Sequence, residues 1–433
     1  MAGDTLARFL AGAFRDPDDG QPLVAPIRMV VIEDSLAGRE AELAEALDLG
    51  RRLAVVSDAT THRVMGRRIE QALGRIAEIQ SVVLADHPEP DLETVGRLRK
   101  AAVDADALVA VGSGTINDLC KYASALDRKP YAVFATAPSM NGYTSVNAAI
   151  TAEGHKKSLQ AQAAAGVFFD LEVLAAAPVR LIRAGLGDSL CRCTAQADWL
   201  LAHLLHGRCY RAAPFALLAE DEAALLEAPE ALVAGDLEAI RRLVRTLVLS
   251  GFGMTLCSGS DPASQGEHLI SHYADMMGDP SWPQNLHGEQ IGVTTLTMAG
   301  LQARLLDGPP PRIRPSPIDE AVLIGHFGLE LGRSCWQEFR HKRVDPGAAI
   351  QLNQRLAKRW DEIRQRIAAI HRPPQQLRET LERAGAAIRP EALGWPRGFY
   401  REAVRHAREI RNRYTFLDLA ADGGVLDRLG AAG

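Results

Sequence analysis

No run of 18 apolar residues occurs in the 433-residue chain, so no segment is expected to insert into a membrane as a helix. Residues 1–19 carry acidic groups and a single short apolar stretch. They lack the charged, then apolar, then small layout of a secretory leader, and a cytoplasmic protein is expected. None of the six cysteines (Cys120, Cys191, Cys193, Cys209, Cys257, Cys335) forms a C-x-x-C pair, and most fall in helical patterns. This favours buried reduced thiols over a zinc knuckle or a disulfide framework. The net charge of -5 gives no broad basic surface for nucleic acid, although the arginines crowd into the last third and leave room for a local basic patch. Both common phosphate motifs are missing too. The chain has neither the G-K-[ST] ending of a P-loop nor the third glycine of G-x-G-x-x-G in its glycine loop.

What is present is ordinary globular composition, 47% apolar and 24% charged, in a chain long enough for two cores. Short apolar runs at 29–32, 53–57, 81–84, 107–111, 131–135 and 167–169 read as strands. Helical patterns such as 39–49, 62–73 and 91–102 separate them. That alternation predicts a parallel sheet covered by helices, a Rossmann-like α/β domain over residues 1–177. Around Pro178 the strand signals fade, and an all-α domain is expected over 178–433. Gly308 and the three prolines after it read as a linker or rigid turn. Beyond them Leu352, Leu356, Trp360, Ile363, Ile367 and Ile370 repeat at three or four residues, an amphipathic helix whose cations read as a solvated face.

The chain is organised around residues 107–147. Gly112-Ser113-Gly114-Thr115-Ile116-Asn117-Asp118 follows one apolar run and opens a helical pattern. The orphan N–H groups and positive dipole end of such a helix favour an anion. A second turn, Thr136-Ala137-Pro138-Ser139-Met140-Asn141-Gly142-Tyr143-Thr144-Ser145, follows the next strand, and two such loops at neighbouring strand ends form one crevice. Asp58 ends another strand, where it suits either a ribose hydroxyl or a helix N-cap.

Three pieces carry metal-type chemistry. Asp188 is read as opening a helix after the Gly185-x-Gly187 turn. His268 and His272 lie four apart on one helix face, and His287 stands just before a helix starting near Ile291. One Asp with two or three His can supply three ligands to a divalent ion and leave a position open. In isolation each also has a plain structural reading, as a cap, a helix residue or a turn residue.

Taken in order, the two loops, Gly154-His155-Lys156-Lys157, Gly187-Asp188, Glu267-His268-x-x-Ser271-His272 and Leu286-His287-Gly288-Glu289 resemble the glycerol-1-phosphate dehydrogenases. Their superfamily also holds glycerol dehydrogenase, the iron-containing alcohol dehydrogenases and dehydroquinate synthase. The likeness spans roughly residues 25–310, and the tail after Pro309 matches no pattern. It implies a dehydroquinate synthase-like fold, NAD or NADP as cofactor, one nickel, zinc or iron ion, and a homodimer or higher homo-oligomer serving phospholipid metabolism. By the same resemblance Gly112, Gly114, Thr115, Ile116, Asn117 and Asp118 hold the pyrophosphate. Thr136, Ala137, Pro138, Ser139 and Ser145 line the rest of the cofactor cleft, and Asp58 meets the adenosine ribose. Asp188, His268 and His287 match the metal ligands, and His272 faces substrate. Asn141 departs from the Asp usual at that substrate-touching position in the bacterial branch.

The expected reaction is reversible reduction of dihydroxyacetone phosphate, or a closely related small ketone or polyol phosphate, with Asp188, His268, His272 and His287 as the catalytic set. The lysines at 156 and 157 read as a solvent-exposed pair, with a substrate phosphate as the alternative partner. A sugar phosphate cyclase of the dehydroquinate synthase type, a lyase, is the competing reading, although its usual metal trio has Glu in place of Asp188. A regulatory descendant marked by Asn141 is the third, and the intact Asp-His-His set argues against it.

Overall fold

The computed structural model of the protein describes residues 4–152 and 155–427. They form two compact units. One comprises the chain up to Ser189 together with Ala212–Gly259, and the other comprises Leu190–Arg211 together with the chain from Ser260 onward.

The first unit is built on six parallel strands, β1 (Met29–Glu33), β2 (Arg52–Asp58), β3 (Glu78–Leu84), β4 (Ala107–Gly112), β5 (Tyr131–Ala135) and, after a hairpin of β6 (Asn147–Ala152) and β7 (His155–Gln160), β8 (Gly166–Asp170). Their order in the sheet is β1-β8-β5-β4-β2-β3. Parallel pairing follows from the sequence. β4, β5 and β8 are continuous apolar runs that are buried along their whole length, as strands covered on both faces must be. β3, with Glu, Gln and Ser among its apolar residues, lies at an edge. The six strands stand where the apolar runs placed them. The antiparallel β6-β7 hairpin was not foreseen, because its alternating burial gives only a short and weak period.

The chain continues from β2 outward to β3 and from β4 the other way to β5, so the order reverses between β2 and β4. Crevices outside the carboxyl ends of strands at such a reversal are where ligands bind in open α/β sheets. Helix α1 (Gly114–Asp127) starts there.

Beyond the sheet the described chain is helical. Helices α2 (Val179–Leu190) and α4 (Leu237–Leu256) belong to the first unit. α3 (Arg192–His206), α5 (Gly266–Met277), α6 (His287–Asp307), α7 (Pro346–Ala368) and α8 (Phe416–Asp422) belong to the second. The turn expected at Gly185 and Gly187 does not exist. Both glycines lie inside α2, and Asp188 falls in its last turn rather than opening a helix. The reason is packing. A Cβ at Gly185 would come within 1.8 Å of the Pro138 carbonyl oxygen, so this glycine lets α2 rest on the 136–145 loop. Similarly, His287 is the first residue of its helix, which starts four residues earlier than the apolar pattern indicated.

In the second unit one carboxylate organises two helix ends. Asp198 of α3 is buried. Its Oδ2 accepts from Gly266 N at 3.0 Å, and its Oδ1 accepts from Phe416 N at 2.8 Å. An anion set against the orphan N–H groups of helix starts is favoured by the local dipoles, and it fixes where α5 and α8 begin. Burial, with the nearby Glu267 adding to it, raises the Asp198 carboxyl well above the ordinary aspartate range. α7 lays Leu352, Leu356, Trp360, Ile363 and Ile367 into the unit's core, each worth roughly 1.5–3 kcal/mol of burial. The same helix sends Arg355 and Arg359 to the Leu205 and Leu204 carbonyls at the C-terminal end of α3, where cations complement the helix dipole.

Lys121 of α1 is fully buried. Its ammonium donates to the Gly142 carbonyl at 2.6 Å, the Asn147 carbonyl at 2.9 Å and Ser145 Oγ at 3.2 Å, with Asp118 Oδ1 at 3.5 Å. Burial lowers its pKa, and Asp118 acts in the opposite direction. Lys121→Met therefore removes a buried charged donor that two carbonyls and a carboxylate share. A loss of about 3 kcal/mol in urea unfolding is expected, with an unchanged midpoint refuting the role.

Candidate active site

The glycine loop is local to the first unit. Gly112 ends β4, and a Cβ there would meet the Ile116 side chain at 2.6 Å, so only glycine permits the strand to turn this tightly into α1. Ser113 occupies the N-cap without capping through its side chain, which leaves the first N–H groups of α1, on Gly114, Thr115 and Ile116, directed at the crevice. The side chains of this motif do other work. Ile116 and Asn117 are buried. Asp118 accepts from Ala149 N through Oδ2 at 3.0 Å and from Asn117 Nδ2 through Oδ1 at 3.0 Å, which ties α1 to β6. Of the motif residues expected at the pyrophosphate, the backbone of the first three is suited to an anion, whereas Asn117 and Asp118 hold the scaffold.

Thr136 follows β5, and its N–H donates to the Gly112 carbonyl at 3.1 Å, so the two loops are joined. Ala137 and Pro138 are buried, with the Ala137 carbonyl accepting from Tyr143 Oη at 2.7 Å, and Ser139 is half-buried. Ser145 Oγ donates within the loop and to the Asn147 carbonyl, so it shapes the loop from inside. Thr144 Oγ1 donates to the Val248 carbonyl of α4 at 2.7 Å. Asp58, at the end of β2, accepts from Thr61 N at 2.7 Å in a reciprocal capping box. Of its two sequence readings, the N-cap is thus realised.

Asn141 has two anchors in the same unit. Its N–H donates to Asp188 Oδ2 at 2.9 Å, and its side-chain amide donates to Ser250 Oγ at 3.2 Å. The loop bearing the departure from the family pattern therefore sits directly on the carboxylate at the end of α2. Asp188 is buried.

The second unit gathers the histidines. His268 and His287 face each other with their Nε2 atoms 3.2 Å apart, and the His272 ring centre lies 5.9 Å from that of His268 and 6.4 Å from that of His287. Glu267 fixes the orientation. Its Oε1 accepts from Gln265 N at 2.8 Å and lies 3.0 Å from His268 Nδ1, while Oε2 accepts from Thr194 Oγ1 at 3.1 Å. An acceptor used in this way places the proton on His268 Nδ1, so His268 Nε2 presents a lone pair toward His287. Cys191 Sγ also comes within 4.8 Å of donor atoms of Glu267 and His268, and it is bonded to the Ala263 carbonyl at 3.5 Å. Glu289 caps its own helix at Leu286 N, holding His287 at the helix start.

Sequence reasoning assigns no role to Lys121, whose spacing does not distinguish it from a surface charge, or to the oxygens of Glu267. The adjacency of Glu267 to His268 was the available signal. Of the residues 154–157, Gly154 and the side chains of His155 and Lys156 lie outside the described residues. Lys157 is half-buried in β7.

A family model described as iron-containing alcohol dehydrogenase matches residues 31–178. The chain is 29% identical to the glycerol-1-phosphate dehydrogenase [NAD(P)+] of Bacillus licheniformis over 88% of its own length and 85% of the relative's. To the enzyme of the same name from Pyrococcus furiosus it is 32% identical, over 63% of this chain and 78% of that one. Glycerol dehydrogenase from Schizosaccharomyces pombe shares the fold, with a TM-score of 0.62 at 18% identity over 93% of this chain and 90% of the other. With two glycine-shaped loops at the sheet's reversal point and a carboxylate-oriented histidine pair on the helices, the chain belongs to the glycerol-1-phosphate dehydrogenase family of iron-containing alcohol dehydrogenases and is an NAD(P)-dependent oxidoreductase.

Proposed function

We propose that the protein reduces dihydroxyacetone phosphate reversibly to sn-glycerol 1-phosphate, the reaction named for its relatives. The observation that carries this reading is the His268–His287 pair, with His268 oriented by Glu267. A carboxylate bonded to the far nitrogen of an imidazole is the usual support of a metal-ligating histidine, and the donor set of one Asp and two His fits nickel, zinc or iron. In this reading residues 178–433 supply the metal and substrate groups, with Asp188 as third ligand, and residues 1–177 hold the nucleotide. When bound, a divalent ion supplies Lewis acidity toward the substrate carbonyl and the nicotinamide supplies hydride.

The chain's own residues then have separate tasks. The N–H groups of Gly114, Thr115 and Ile116 bind the pyrophosphate. Thr136, Ala137, Pro138, Ser139 and Ser145 shape the cleft wall. Asp58 places negative charge near the ribose and disfavours a 2′-phosphate, so NADH is the preferred donor. His272 delivers a proton to the developing alkoxide oxygen, a general-acid role that an imidazole can fill. Asn141 offers a neutral amide where a carboxylate is usual, which lessens repulsion of an anionic substrate. Assembly as a homodimer or higher homo-oligomer and a role in supplying phospholipid backbones complete the proposal.

A panel of small ketones and aldehydes offered with NADH and NADPH tests the substrate. Dihydroxyacetone phosphate is expected to oxidise NADH one for one and unphosphorylated dihydroxyacetone far more slowly. Turnover of a sugar phosphate without net NADH consumption would instead indicate a cyclase. His268→Ala is expected to lose bound metal and turnover together, and Glu267→Gln to weaken metal binding by about 10–100-fold, both read by metal analysis after dialysis. In His272→Ala the metal content should stay at the parent level while kcat falls by about 10²–10⁴-fold. A parent-like rate would remove His272 from the proton path.

A further inference from the structure

The second unit contains a cavity of about 320 Å³ whose lining the oxidoreductase chemistry does not use. Its walls come from the end of α3, the segment before α7, and α7 itself. They present Arg208, Arg343, Arg355, Lys342, His206 and His341, and no carboxylate is among the lining residues. The three arginines bond only to neutral oxygens. Arg208 donates to Asn412 Oδ1 at 2.7 Å, Arg343 to the Ile318 carbonyl at 2.7 Å and the Ser316 carbonyl at 3.3 Å, and Arg355 to the Leu205 carbonyl. Lys342 differs, because it is buried and already neutralised by Asp418 at 2.9 Å. Three guanidinium groups around one concavity make its potential positive and favour an anion there. Several arginines elsewhere on this chain are paired. Arg39, Arg99, Arg245 and Arg405 all sit against carboxylates.

We propose that this cavity is a binding site for a phosphate-bearing anion, distinct from the nucleotide crevice. Its volume exceeds a single phosphate and suits a diphosphate or a larger phosphorylated ligand. The planar fork of arginine recognises phosphate oxygens in pairs, which a lysine cluster does not. The neutral contacts already made by each guanidinium anchor the forks and reduce the ordering cost of binding. The site lies in the part of the chain beyond Pro309 together with the end of α3, and it gives that region a ligand-binding role of its own.

The test uses the full chain with NADH in excess, so that the nucleotide crevice is filled. Inorganic pyrophosphate titrated into it calorimetrically is the first arm. Flotation with phosphatidylcholine vesicles, with and without phosphatidic acid, is the second. Binding in the first arm assigns the site to a soluble anion, and binding in the second alone assigns it to a lipid headgroup. In the variant carrying Arg343→Gln and Arg355→Gln, the affinity for the bound probe is expected to fall by about tenfold or more for each guanidinium removed. The variant with Lys at both positions keeps the charge and should lose less. Both side chains are exposed and lie outside the dehydrogenase residues, so NADH-dependent turnover should persist without the anion. Absence of binding to either probe, or affinity unchanged in the glutamine variant, overturns the proposal.

Discussion

The chemistry of the helical unit hangs on one buried carboxylate. Glu267 takes a backbone N–H, a threonine hydroxyl and an imidazole nitrogen at once, and by doing so it sets the tautomer and the direction of His268. An unpaired carboxylate at zero exposure would be prohibitively expensive, so these three donors are a condition of the fold as much as of the site. Asp198 stands beside it in the same polar layer and holds the starts of α5 and α8. Burial, with repulsion from Glu267 adding to it, raises the Asp198 carboxyl. The helix that bears His268 and His272 thus begins where the electrostatics of this layer require it to begin.

The sheet unit solves a different problem by related means. Helix α1 starts without the side-chain cap that most helices carry, which leaves its first backbone N–H groups open. The loop opposite must then be held by something else. Lys121 does this from beneath, and α2 does it from the side through the absence of a side chain at Gly185. Rigidity of the loop is therefore supplied by groups that do not face the crevice, and its exposed surface stays available to ligand.

The region after Pro309 is more than a spacer. α7 completes the core of the second unit with an apolar stripe, and its cations close the C-terminal end of α3. The solvated-face reading holds for Lys358 and Arg364, both away from the core. Arg355 belongs to both descriptions, since it caps a helix and lines the basic cavity.

Much of the fold is legible in the sequence itself. Continuous apolar runs can be satisfied only by strands covered on both faces, so β4, β5 and β8 and their parallel pairing follow from the sequence, as does the glycine turn into α1. The histidines were legible as well, because residues four apart in a helix share a face whatever the helix packs against. What the sequence could not decide were matters of approach between distant segments. Gly185 has the appearance of a turn in one dimension and proves to be a contact surface inside a helix. Asp58 suits a ribose or an N-cap in the sequence, and the structure shows its Oδ1 accepting from Thr61 N. Lys121 and Glu267 resemble any other charged residues until burial removes water from them and leaves only specific partners. Local periodicity and turn chemistry are properties of neighbouring residues and can be read along the chain. Which charge is desolvated, and by what it is then satisfied, depends on segments brought together from 21 residues away for Lys121 to 73 for Glu267, and only the tertiary structure settled that.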